Sequence, residues 1–119
     1  MNFTAYCNEV FSDACEYIDD NYTHYDDVDE LIDECRLTVT GNDNGSYYMN
    51  SDRAKDEASE VESDIMDEIV RYYGGEFVAS LLLNDWEGMD VVIRDYAFDN
   101  KLGEIEEYAR QMMKEEQVD

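Results

Sequence analysis

The side chains of this chain that could do chemistry are almost all carboxylates. Asp and Glu number 32 against eight Lys and Arg, a formal charge of −24 over 119 residues. Carboxylates serve as general acids, bases and cation ligands, but here they are so many that no pair singles itself out. His24 is the only histidine. It stands among tyrosines in a turn, with no base or nucleophile identifiable beside it. The three cysteines, Cys7, Cys15 and Cys35, form no CxxC pair. Their odd number, with no signal peptide ahead of them, points to reduced thiols in a cytoplasm, packed as small core residues. There is no Gly-Lys-Ser/Thr phosphate loop. A calcium loop centred on Gly45 would place Thr40 at its first position and Ser51 at its last, where Asp and a bidentate Glu are needed. Enzymatic activity, a bound metal and a cofactor are therefore not expected. The sign of the charge also argues against direct nucleic-acid binding and against anionic membranes. What remains for the acid is a basic protein surface or adaptation to high salt.

The elements that would hold these acids can be read from apolar spacing. The chain is 44% hydrophobic with ten Tyr, four Phe and one Trp, which a disordered acidic tail would lack. Its length suits one acidic globular domain over residues 1–119. The longest apolar run, Phe77 to Leu83, is too short to span a bilayer. Phe3 to Tyr22 has an apolar stripe of Phe3, Cys7, Val10, Phe11, Ala14 and Ile18, which predicts a helix. A short helix follows over Asp26 to Cys35, capped by Asp26 or Asp27, with Val28, Leu31, Ile32 and Cys35 inward. In Ser51 to Tyr73 the residues Ala54, Ala58, Val61, Ile65 and Ile69 predict one long helix ending at Gly74-Gly75. Glu76 to Asn84 reads as a short helix or a buried strand, with helix favoured because Phe77, Leu81 and Asn84 frame one face and the segment begins just after Gly-Gly. Leu102, Ile105, Tyr108, Ala109, Met112 and Met113 predict a last helix capped by Asp99 or Asn100.

Two stretches read as β. Leu37 to Thr40 alternates, Asn44-Gly45 favours a type I′ turn, and Ser46 to Met49 would return, giving a hairpin. Met89 to Phe98 is nearly continuously apolar, as in a covered strand, and Arg94 within it would pair with a nearby acid. The expected fold is α+β: four to five helices packed around a small antiparallel sheet of about three strands containing one hairpin.

Two resemblances bear on function. Val39-Thr40-Gly41-Asn42, Gly45-Ser46-Tyr47, Asn50 and Ala54, followed by Asp90-Val91, Ile93-Arg94 and Tyr96, resemble a family of small acidic proteins of phages and other mobile elements. The likeness spans residues 25 to 110 and departs from the pattern at Tyr48-Met49 and Asp95. That family carries no established activity and implies no catalytic residue. Val10-Phe11, Ala14, Glu16, Asn21 and Tyr25-Asp26-Asp27 are similar to the first helix and turn of the Ocr-type anti-restriction proteins of phages. That resemblance implies imitation of DNA.

Charge and resemblance together predict a phage-encoded anti-defence inhibitor, anti-CRISPR or anti-restriction. It would act in the host bacterial cytoplasm and cover the nucleic-acid-binding surface of a host nuclease by DNA mimicry. The alternative is an acidic immunity or regulatory partner of another basic, DNA-binding protein, acting without mimicry. The acids expected to meet the partner's Lys and Arg are Asp26, Asp27, Asp29, Glu30 and Asp33 on the second helix. On the central helix they are Asp52, Asp56, Glu57, Glu60, Glu62, Asp64 and Asp67. Tyr25, Tyr47 and Tyr48 are the aromatic candidates, because interfaces need rigid anchors. A homodimer is left open.

Overall fold

A computed structural model describes residues 1–41 and 51–117, apart from the side chains of residues 51, 53 and 115–117. It replaces the expected α+β fold with an all-helical one: among the described residues there is no strand. In chain order come α1 (Phe3–Asn21), a 3-10 turn (Tyr22–His24), α2 (Val28–Thr40), α3 (Ser51–Ala58), α4 (Ser63–Tyr73), α5 (Gly75–Asn84) and α6 (Trp86–Gln117).

The 32-residue helix α6 is the axis of the molecule. At about 1.5 Å per residue it is roughly 48 Å long, which sets the long dimension of a body measuring 52 × 27 × 21 Å. Helices α1, α2, α3 and α5 all pack directly on it. This explains the first correction. Met89 to Phe98 is nearly all apolar because this part of α6 is covered from several sides, not because it is a strand in a sheet. Met89, Ile93 and Ala97 are fully buried at steps of four, and Ile105 and Ala109 continue the same period. Valine's weak helix propensity is outweighed by burial, which contributes about 1.5–3 kcal/mol for each large apolar side chain.

The second correction concerns the hairpin. Leu37 to Thr40 is the last turn of α2, with Val39 and Thr40 buried. The Thr40 hydroxyl donates back to the Arg36 carbonyl at 2.7 Å, which occupies its polar group inside the helix. Gly41 then takes φ 85°, the left-handed conformation that ends a helix, so it is a helix cap rather than the start of a hairpin turn. The expected return strand, Ser46 to Met49, lies outside the described residues.

The long central helix is two helices. α3 stops at Ala58, the backbone turns through 59–62, and α4 restarts at Ser63. The break lets Ala54, Ala58, Val61 and Ile69 all face the core. The last helix is not capped at Asp99 or Asn100, which lie inside α6. Asp85 precedes it instead, its carboxylate accepting from the Gly88 amide at 3.0 Å. The expected cap of α2 is Asp27, which accepts from the Asp29 amide at 2.9 Å, and α1 has a cap not expected from the sequence, Asn2, which accepts from the Ala5 amide at 2.8 Å. Each such cap contributes about 1 kcal/mol. Cys7 and Cys35 are buried core residues, Cys15 is half-buried, and all three are free thiols. Burial pushes the Cys35 thiol up to about 12.

No helix among the described residues is long and apolar enough to cross a membrane. The core must hold together a body whose charges repel one another. Raising salt screens that repulsion, since the Debye length falls from about 30 Å at 0.01 M to about 8 Å at 0.15 M. Thermal melts are therefore expected to shift upward with NaCl, by about 4 °C for each 1 kcal/mol of repulsion removed. The chain should stay folded at the lowest salt. Unfolding there would instead mark a protein adapted to concentrated salt.

Candidate functional site

The surface of this protein is set by where its few cations go. Arg94 is fully buried. Its Nε donates to Asp90 Oδ2 at 2.8 Å, and its Nη2 reaches Glu9 Oε1 at 3.2 Å and Glu57 Oε2 at 3.6 Å. The Tyr6 hydroxyl donates to the other Asp90 oxygen at 2.8 Å, and the Tyr6 ring lies 5.5 Å from the guanidinium. Burial, then the adjacent Asp90 carboxylate, pushes the Tyr6 hydroxyl far above its ordinary pKa. Residues from α1, α3 and α6 thus converge on one cation in the core. The sequence expectation that Arg94 pairs with a nearby acid holds, although that cation gathers more than one carboxylate.

Arg36 is drawn inward as well. Its two terminal nitrogens pair with Asp95 at 3.0 Å and Asp99 at 2.6 Å, and its guanidinium lies 4.6 Å from the Phe98 ring centre. Lys101 and Arg110 pair with Glu104 and Glu106 on the surface of α6. Such exposed pairs contribute about 0–1 kcal/mol each. Two arginines therefore neutralise acids inside or at the edge of the fold, while the outward faces keep theirs.

Of the acids expected to meet a partner, Asp26, Asp27, Asp29, Glu30 and Asp33 are exposed on α2 or just ahead of it. Asp52, Asp56, Glu60, Glu62, Asp64 and Asp67 are exposed on α3, on α4 and in the turn between them. Glu57 departs from that expectation. It is half-buried and turned toward Arg94, because the buried guanidinium attracts it. Tyr25 is half-buried too, with its hydroxyl 3.0 Å from that of Tyr17. Tyr47 and Tyr48 lie outside the described residues.

The aromatic group that spacing alone missed is formed by Tyr72, Tyr73 and Tyr96. The ring centres of Tyr72 and Tyr73 are 4.7 Å apart, edge to face, and Tyr96 lies 5.9 and 6.4 Å from them. Each hydroxyl donates to a carboxylate: Tyr73 to Asp95 at 2.7 Å, Tyr96 to Glu68 at 3.0 Å and Tyr72 to Asp99 at 3.4 Å. Burial and the bond to Asp95 push the Tyr73 hydroxyl well up. Tyr72 remains 65% exposed, so an ordered ring stands at the surface among acids. The only hint in the sequence was the Tyr72-Tyr73 pair. Tyr96 comes from a segment read as a strand, so the cluster could not be assembled from spacing.

A groove of about 260 Å³ runs between α1 and the end of α2. Asp13, Glu16 and Asp20 line it, with Tyr17 and Val39 supplying apolar wall. An apolar stem ending in a cation, as in Lys or Arg, matches that combination. Burial, then repulsion from Glu9, raises the Asp13 carboxyl above its ordinary pKa, with Arg94 opposing. The folded chain therefore holds this proton more tightly than the unfolded chain does. Asp13's favourable contribution is present at low pH and is lost as pH rises through its folded value. Asp13→Asn is expected to raise the urea midpoint at pH 7, with the gain over the parent shrinking toward pH 4. An unchanged midpoint at pH 7 would contradict that origin of the shift.

His24 is exposed at the end of the 3-10 turn. Among the described residues no group of three or more His, Cys, Asp or Glu is disposed to hold a metal. No family model, curated protein or solved structure matches the chain.

Proposed function

We propose that this chain is a phage-encoded anti-defence inhibitor that covers the basic, nucleic-acid-binding surface of a host nuclease by imitating DNA. The observation that carries this reading is charge per unit length. A net −24 along a 52 Å body is one charge per about 2.2 Å. Duplex DNA carries one per about 1.7 Å of axis. The acids of α2, α3 and α4 other than Glu57 point outward, while Arg94 and Arg36 are taken up by carboxylates inside or at the edge of the fold. A cleft lined with Lys and Arg to grip phosphates would attract such a body at long range. The exposed Tyr72 ring supplies an aromatic anchor of the kind that interfaces favour.

Inhibition by mimicry is competitive with substrate DNA. In cleavage assays with restriction enzymes and CRISPR effectors, the chain is expected to block at least one of them. Its half-inhibitory concentration should rise in proportion to the DNA added. Inhibition that ignores DNA concentration would favour an acidic partner acting away from the DNA site, such as an immunity or regulatory protein.

A further inference from the structure

Acid and aromatic side chains meet at one place on this surface, the seam between α4 and α6. Along α4, Asp64, Glu68 and Tyr72 follow one another at steps of four and so share a face. All three are exposed. Tyr73 and, from α6, Tyr96 stand beside Tyr72 with their rings tilted 67° and 64° to it. Both are half-buried and give their hydroxyls to Asp95 and Glu68. They form a fixed floor, and Tyr72, 65% exposed, keeps open ring surface above it. Three carboxylates surround the rings, Glu68, Asp95 and Asp99. Arg36 pairs with two of them, so this group carries two negative charges in excess.

We infer that Tyr72 is the receptor for an arginine side chain of a basic partner protein. The guanidinium lies flat on the exposed ring and donates to Glu68 and Asp99 at its rim. The fold already contains one such arrangement. Arg36 lies 4.6 Å from the centre of the Phe98 ring and forks between Asp95 and Asp99. The partner's arginine takes the outer side of the same Asp99. There Oδ2 is 3.4 Å from the Tyr72 hydroxyl, a long bond that leaves the oxygen able to accept again.

The chemistry of the patch selects arginine over other side chains. An apolar side chain would cover the ring but would take water from Glu68 and Asp99 without replacing it. A carboxylate would be repelled. Lysine answers the charge, but its ammonium is compact, strongly hydrated and has no flat face to lay on a ring. Guanidinium is planar, weakly hydrated and forked, and it stacks on aromatic rings. Because Tyr73 and Tyr96 already hold Tyr72 in place, little ordering is needed on binding. The arginine is one of those lining the basic cleft of the proposed function, and only its source rests on that reading.

Calorimetric titration of the full chain with blocked hexa-arginine and hexa-lysine, at about 0.05 M NaCl, tests the site. Both peptides are drawn to the acidic surface, so the informative quantity is the ratio of their affinities. The preference for arginine should be about two- to fivefold larger in the parent than in Tyr72→Leu, as for a cation–π contact at an exposed position. Tyr72→Phe, which keeps the ring, should keep most of that preference. A preference that Tyr72→Leu leaves unchanged overturns the inference. So does one that Tyr72→Phe lowers as far as Tyr72→Leu does. A mass that rises with concentration in the parent but not in Tyr72→Leu would give the ring to a second copy, and overturns it as well. Neither nuclease nor DNA enters this titration. Failure here with DNA competition intact would remove the arginine receptor and leave mimicry standing. Success here without DNA competition would remove mimicry and leave the receptor.

Discussion

Arg94→Ala is expected to destabilise the fold by about 3–5 kcal/mol, the usual cost of breaking a buried ion pair by removing one partner. Asp90 is 1% exposed, and its two oxygens accept from Arg94 and Tyr6. Without the guanidinium, Asp90 keeps a buried charge, and Glu9 and Glu57 lose the cation that draws them together. Domains of this size are stable by about 5–15 kcal/mol, so the variant should be close to unfolding at 37 °C. Arg94→Met combined with Asp90→Leu should recover part of the loss, because apolar side chains of similar volume often replace a buried pair at little cost. Urea unfolding of the parent, the single variant and the double variant measures this. A loss below about 1 kcal/mol for Arg94→Ala would place Arg94 in water rather than in the core.

The second large effect is expected on binding and not on stability. Reversing Asp26, Glu30 and Asp33 to Lys, together with Glu60, Asp64 and Asp67 to Lys, should weaken the inhibited complex by at least about 100-fold. Close charge pairs across an interface couple by about 1.5–7 kcal/mol each. Asp27 is left unchanged because its carboxylate caps α2. All six positions are exposed, and relief of like-charge repulsion offsets the lost pair between Glu60 and the N-terminal ammonium at 2.9 Å and the lost first-turn acids Glu30 and Asp64, so the melting temperature should stay close to that of the parent. Inhibition titrations with each triple variant and with the six-fold variant would read this out. Undiminished inhibition by the six-fold variant would remove both acidic faces from the account.

How legible the molecule was in its sequence depended on how many sides of each helix are covered. α1 packs on one side, so Phe3, Cys7, Val10, Ala14 and Ile18 showed a clean stripe and all are buried. The start of α2 was readable for the same reason, helped by Asp27. α5 was readable from Gly74, at φ 103°, and not from a stripe: only Val78 of its apolar run is buried, while Phe77 and Leu83 are exposed. α6 is surrounded, so its stripe widens into the run from Met89 to Phe98, which a strand would share. A period of four extending from Met89 through Ile93 and Ala97 and on to Ile105 and Ala109 was the signal that separates the two readings. Val39 and Thr40 misled because β-branched residues can sit in the last turn of a helix when Gly41 ends it. The outward acids of α2, α3 and α4 were legible because nothing else competes for them. Glu57 was not, since only the folded chain brings it to Arg94. The Tyr72, Tyr73 and Tyr96 cluster likewise exists only once α4 lies against α6.

The central claim is that acid on this surface stands in for the phosphates of DNA. Its most direct test is capture of binding proteins by the tagged chain from lysates carrying defined CRISPR and restriction systems, followed by elution with duplex DNA. The account predicts recovery of a basic nuclease that DNA releases. A nuclease that is recovered and stays bound in excess DNA would contradict mimicry and point to a site away from the DNA cleft.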